Sequence, residues 1–321
     1  AKSMNIDFDT RTKFEFFEDL KKGNNNVYLY INTVSLNNYN LADENIISLG
    51  SISNITTMLN NESGYYPIIT TDEHGFNNPK GLYKKNINTI LIGDSFVEGD
   101  GVKQGETIGA YLRNLNTETL SIAKGGFGPL SELALLIEYA KPLEPKNVFW
   151  FYYDGNDYLD LIIEYSDKRF SFLKNYLSYE NYSNNLLYKQ EEIDNYLKNA
   201  SKEIYNIERN KIIQNSNKSK SFFINKNSLL KFIKLSRLKQ IYHYYKPTKL
   251  SSEYEEVFEQ IITRANKEVN SWGGNLFFVY LPSYTNVITG SSGYKDQVLK
   301  IVENLNIKYL DIYDLIFINH E

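Results

Sequence analysis

The stretch Ile87-Asn88-Thr89-Ile90-Leu91-Ile92-Gly93-Asp94-Ser95-Phe96 decides the fold. An apolar run of strand length stops at a glycine, an acid and a serine. Strict alternation would mark a strand with one wet face. A continuous apolar run predicts one covered on both faces, which is the habit of parallel sheets. The pattern recurs along the chain. Thr119 to Ala123 is short and apolar and leads into Gly125-Gly126-Phe127-Gly128-Pro129. Val148 to Tyr153 (VFWFYY) leads into Asp154-Gly155-Asn156-Asp157. Leu276 to Leu281 (LFFVYL) stops at Pro282, and Lys308 to Ile312 reads as a last short strand.

Between these runs, Thr107–Leu115, Leu130–Ala140, Glu253–Val269 and Lys295–Leu305 carry apolar residues at helical spacing. Strand and helix in alternation predict an α/β fold: a three-layer, flavodoxin-like parallel sheet with helices on both faces. The core is discontinuous, covering 85–157 and 253–321. Residues 158–252, rich in Lys, Asn, Glu and Tyr, read as a helical insertion. Residues 1–84 read as an irregular extension packed on the core, with one short amphipathic helix around Phe14–Leu20 and a buried Phe76 in the turn-rich stretch Thr71–Gly81.

Composition removes several classes of function. The 321 residues carry 35 Lys and Arg against 39 Asp and Glu, a net charge of -4, so a nucleic-acid footprint is not expected. Cysteine is absent, which excludes disulfides, thiolate catalysis and Cys-bound metals. No apolar run approaches the roughly 18 residues of a spanning helix. No three-ligand metal constellation is visible, and neither metal nor cofactor is expected. Ala1-Lys2-Ser3 reads as a cloning remnant, which leaves room for a membrane anchor outside this chain. The compartment and oligomeric state stay open.

Ser95 follows a buried strand and precedes a helix, where α/β sheets place ligands. Asn156 follows another strand end 61 residues later, and its carboxamide is a neutral donor suited to an oxyanion. Gly155 permits a steep turn beside it. The glycine loop 125–128 lies at a third strand end. Three loops thus leave one sheet edge with a hydroxyl, backbone amides and a carboxamide.

On these residues the chain resembles the SGNH (GDSL-like) hydrolase and acyltransferase superfamily. Gly93-Asp94-Ser95-Phe96 matches its first block and Gly155-Asn156-Asp157 its third. Counting back from Gly126-Phe127-Gly128-Pro129, the family's oxyanion glycine falls on Ala123 and its asparagine on Ser121, a departure from the pattern. Thr71–Pro79 also looks like the lead-in of a bacterial branch associated with surface polysaccharides. The resemblance implies an esterase or O-acyltransferase acting on acyl groups, in particular O-acetyl groups of carbohydrate. Ser95 would be the nucleophile. The amides of Ser95 and Ala123 and the Asn156 side chain would form the oxyanion hole. Asp94, Gly155 and Asp157 would brace the two loops. A general lipase is a weaker option, because the insertion is too polar to suggest an acyl-chain lid.

The family also expects an Asp-x-x-His block after the last strand. The chain runs through Asp311 and Asp314 to His320-Glu321, and neither aspartate stands three residues before His320. The expectation is a catalytic histidine beyond residue 321, or a non-catalytic glycan-binding or interaction module that lacks it. Of the three histidines, His74 reads as structural in its loop, His243 as a packing or surface residue, and His320 as a terminal residue. Lys231, Lys234, Arg237 and Lys239 read as a solvated helix face, and Phe149–Tyr153 as core rather than a sugar platform.

Overall fold

A computed structural model describes residues 8–24, 26–43, 46–115, 117–218, 251–289 and 293–318. Five parallel strands form the central sheet: β3 (Thr89–Gly93), β4 (Thr119–Ala123), β5 (Asn147–Tyr153), β6 (Asn275–Leu281) and β7 (Lys308–Asp311). Their spatial order is β4-β3-β5-β6-β7, the flavodoxin-like winding expected from the sequence. A small antiparallel pair, β1 (Thr56–Met58) and β2 (Ile68–Thr70), precedes them.

Strands β3 to β6 are covered on both faces, which explains their continuous apolar runs, while the edge strand β7 is largely exposed. Ile90, Ile92, Trp150, Tyr152, Phe278 and Tyr280 point into the larger core cluster. That face is covered by α5 (Pro129–Leu135), α9 (Ser252–Ser271) and α10 (Lys295–Asn304), through Leu130, Leu133, Ile261, Ala265, Val298 and Val302. The alternate residues Leu91, Phe151 and Val279 meet Val97 of α3 (Ser95–Glu98), with Ile108 and Leu112 of α4 (Ile108–Asn114) packed against them. In-register pairing aligns Leu91, Phe149 and Phe277 across three strands, and the last two rings stack at 4.9 Å.

The N-terminal segment contains α1 (Lys13–Lys22), closed by a Thr12–Glu15 capping box, and α2 (Thr33–Asn38). The 158–218 stretch is helical: it continues α6 (Asp157–Ser166), then α7 (Lys174–Ser178) and the long α8 (Gln190–Lys218). It packs on the N-terminal segment. Asp194 accepts from the Ser53 amide and hydroxyl at 2.8 and 2.6 Å, and Tyr39 donates to Glu208 at 2.9 Å. No described helix is long and apolar enough to cross a membrane.

The lead-in Thr71–Asn78 is a buried staple. Asp72 Oδ1 accepts from the amides of His74 and Phe76 at 2.8 and 2.9 Å. Asn78 donates to Asp72 Oδ2 and to the Ser121 carbonyl, both at 2.8 Å, and accepts from the Ser121 amide at 3.0 Å. One carboxamide therefore pairs with β4 as a neighbouring strand would.

Candidate active site

The order of strands reverses at β3, so the crevice between the carboxyl ends of β3 and β5 is the topological switch point. Ser95 stands there, half-buried, as the first residue of α3. The turn that lifts it is tight. A Cβ on Gly93 would come within 2.6 Å of Val97 Cγ2 and 3.2 Å of Phe151 Cβ. Asp94 caps α3 by accepting from the Phe96 amide at 2.9 Å. Gly99, at φ 84°, closes the helix after four residues.

The β4 loop arrives beside it. Ala123 ends β4 in register with Gly93 and is buried. The residue set against Ser95 is Gly125: a Cβ there would lie 3.5 Å from Ser95 Cβ. The Gly125 amide donates to Glu98 Oε2 at 2.8 Å, and its carbonyl accepts from Asn32 Nδ2 at 2.7 Å. Lys124 between them is wholly buried, donating to the Gly75 carbonyl at 2.6 Å and to Glu98 Oε1 at 3.2 Å.

The β5 loop forms the opposite wall. Asn156 is half-buried at the N-cap of α6, and its Nδ2 donates to Asp160 at 2.6 Å. Its carboxamide also favours the charged form of Asp94. A Cβ on Gly155 would meet Tyr153 Cε1 at 2.3 Å, so a side chain there would have to displace the Tyr153 ring. That ring lies 4.0 Å from Phe96, an exposed neighbour of Ser95. Asp157 is fully buried and accepts from the Tyr153 amide at 2.7 Å.

Carboxyl groups crowd below the crevice. Burial pushes Asp94 up to about 6, against the opposing pull of the Phe96 amide. Burial, then the charges of Glu132 and Asp94, raise Asp157 well above its ordinary range. Burial raises Glu132 likewise, with Asp94, Glu164 and Asp160 adding to it. Glu164, raised by burial to about 7, accepts from the amides of Gly128 at 2.8 Å and Leu130 at 3.0 Å at the start of α5. Among the described residues no group of three or more such side chains is arranged to hold a metal ion.

Ser95 Oγ is hydrogen-bonded to no imidazole among the described residues. His74 lies elsewhere in its contacts, edge-on to Tyr83 at 4.4 Å and near Tyr139 at 5.8 Å, with burial lowering its pKa. His243, His320 and the basic set Lys231, Lys234, Arg237 and Lys239 lie outside the described residues. Asp311 and Asp314 both bind Lys295, at 2.6 and 2.5 Å. The sequence brings the glycine loop to this edge but points to Ala123 rather than Gly125 beside Ser95, and it does not reveal Glu98 and Asp160 as neighbours of the crevice. The Gly125-Gly126 doublet was the available signal for Gly125. No protein-family model and no curated protein matches the chain.

Proposed function

We propose that the chain is an SGNH-type serine esterase or O-acyltransferase that passes acyl groups of carbohydrate, in particular O-acetyl groups, through Ser95. The reading is supported by one juxtaposition: a half-buried serine at the switch point, with Gly125 against it on one side and the Asn156 loop on the other. Ser95 Oγ attacks the acyl carbonyl and gives a tetrahedral oxyanion. The Ser95 amide heads α3 and has no partner within that helix. The Asn156 carboxamide, a neutral donor, stands at the same crevice, its Nδ2 facing Asp160 and Asp94. These two donors, with Ala123 and Gly125 walling the far side, are suited to the developing charge. The base is then a histidine outside the described residues, which takes the Ser95 proton and returns it to the leaving oxygen. Water or a sugar hydroxyl releases the acyl group.

The test is p-nitrophenyl acetate turnover by the full chain, with peptide mapping for an acetyl adduct on Ser95. Turnover and adduct, both lost in Ser95→Ala, support the reading; neither in the wild type, or an active Ser95→Ala, overturns it. The 2.6 Å bond from Asn156 to Asp160 favours a second reading, a glycan-binding module without catalysis. Glycan binding without any adduct selects that one.

A further inference from the structure

A cavity of about 700 Å³ lies at the seam between the N-terminal segment and the 158–218 helices. Its size falls within the roughly 300–1,000 Å³ of small-ligand sites. Its walls come from distant stretches of sequence: Asn37 and Ser48 on one side, Arg169, Phe172, Asn175 and Tyr196 on the other. We propose that this cavity seats a neutral oligosaccharide.

The lining carries charges of both signs, Asp43 against Lys168 and Arg169, so it selects no single charge, and its remaining polar groups suit hydroxyls. The Arg169 guanidinium is already held by Asp167 at 2.6 Å and by the Asn37 carbonyl at 3.2 Å, so its charge is largely answered. The Tyr196 hydroxyl is fixed by the Leu41 carbonyl at 2.5 Å and the Asp43 amide at 3.0 Å. The Asn175 carboxamide makes no hydrogen bond among the described residues. In the floor, Asn37 Nδ2 is buried without an acceptor, a costly state for a donor. Carboxamides donate and accept at once, which matches a hydroxyl. Half-buried Phe172 adds an apolar ring to the wall, which suits the C–H face of a pyranose.

The cavity is also joined to Ser95 by one short helix. Asn32, the N-cap of α2, grips the Gly125 carbonyl, and Val34 Cγ2 lies 3.6 Å from the Cβ position of Gly126. Thr33, Leu36 and Asn37 of the same helix line the cavity. Six residues of helix span only about 9 Å. The same helix therefore touches both the cavity and the glycine loop. That a glycan seated here is the acyl-bearing or acyl-accepting chain rests on the function proposed above; that it binds does not.

The experiment titrates the full chain with cellotriose, chitotriose and maltotriose, by calorimetry and ligand-observed NMR. Binding of at least one, weakened fivefold or more by Asn175→Ala and by Phe172→Ala and unchanged in Ser95→Ala, is the expected result. Should Phe172→Ala not fold, Asn175→Ala alone decides. No binding by the wild type, or wild-type affinity in Asn175→Ala, overturns the proposal. Binding without any Ser95 adduct sinks the enzyme reading and leaves the pocket standing, and the converse result does the opposite.

Discussion

Lys124 Nζ and Glu98 Oε1 stand 3.2 Å apart, with the two side chains 0% and 1% exposed. The pair joins the glycine loop to the end of the serine helix. Glu98 also accepts from Tyr30 and from the Gly125 amide, while the Lys124 ammonium lies 4.7 Å from the Tyr30 ring centre. A buried pair of this kind is weak evidence of stabilisation, but removing one partner strands the other charge. Lys124→Met is expected to cost about 3–5 kcal/mol in urea unfolding. A loss below about 1 kcal/mol would show that the loops are held by something else.

Gly125→Ala tests the crevice without testing the fold. The added Cβ would meet Ser95 Cβ and Glu98 Oε2 at 3.5 Å, an ordinary contact, and Gly125 does not need a left-handed backbone. Stability should change by less than about 1 kcal/mol, the scale of a glycine-to-alanine effect. On the proposed function, acylation of Ser95 should fall at least tenfold, because the methyl occupies the space beside the serine. Equal rates in the two proteins would remove Gly125 from the site.

Stability should fall as pH rises from about 4 to about 8. Burial raises Asp154 from 3.8 to about 7 and Asp72 to about 6. A carboxyl raised in the folded state holds its proton after the unfolded chain has lost it. The folded state is therefore favoured at low pH, and that advantage disappears as pH climbs through the folded value. For Asp154 the three-unit difference sets an upper scale of about 4 kcal/mol. Its carboxylate accepts from Asn286 Nδ2 and from the Tyr294 amide, so it ties down the loop after β6. Asp154→Asn should flatten the fall between pH 5 and pH 8 in chemical unfolding; an unchanged slope would assign the effect to the other carboxyls.

Asn78→Ala leaves three groups unanswered at once: the Ser121 amide, the Ser121 carbonyl and Asp72 Oδ2. Each buried orphan costs about 1–3 kcal/mol, though not additively. A loss of about 3 kcal/mol or more is expected by denaturant unfolding. Asn78→Asp should be no milder, since it sets an acid against Asp72 and a carbonyl. Wild-type stability in either variant would refute the clasp.

The sheet was legible because burial on both faces leaves a plain mark. Ile90–Ile92, Trp150–Tyr152 and Leu276–Leu281 are apolar without interruption, and each became a strand. Ser95 and Asn156 were legible because glycine, acid and serine or asparagine cluster where such strands stop. Which residue of the glycine loop faces Ser95 was not. Counting residues brings attention to Ala123, but Ala123 is still paired in the sheet, and the chain turns toward Ser95 only two residues later. Lys124 was unreadable for a related reason: a lysine in a loop is ordinarily solvated, and only the fold brings Glu98, Gly75 and Tyr30 around it. The carboxyls under the crevice were equally hidden, because Glu132 and Glu164 lie in helices whose buried faces are set by packing.

The clasp at β4 has one more consequence. β4 is an outer strand of the sheet, and an outer strand offers free backbone groups to any passing chain. By occupying both backbone groups of Ser121, beside Arg113 on the Thr119 carbonyl, the Asn78 side chain acts as a stopper against sheet-to-sheet polymerisation. The N-terminal segment thereby chaperones its own core, and loosening it would turn a soluble border into a seed for aggregation.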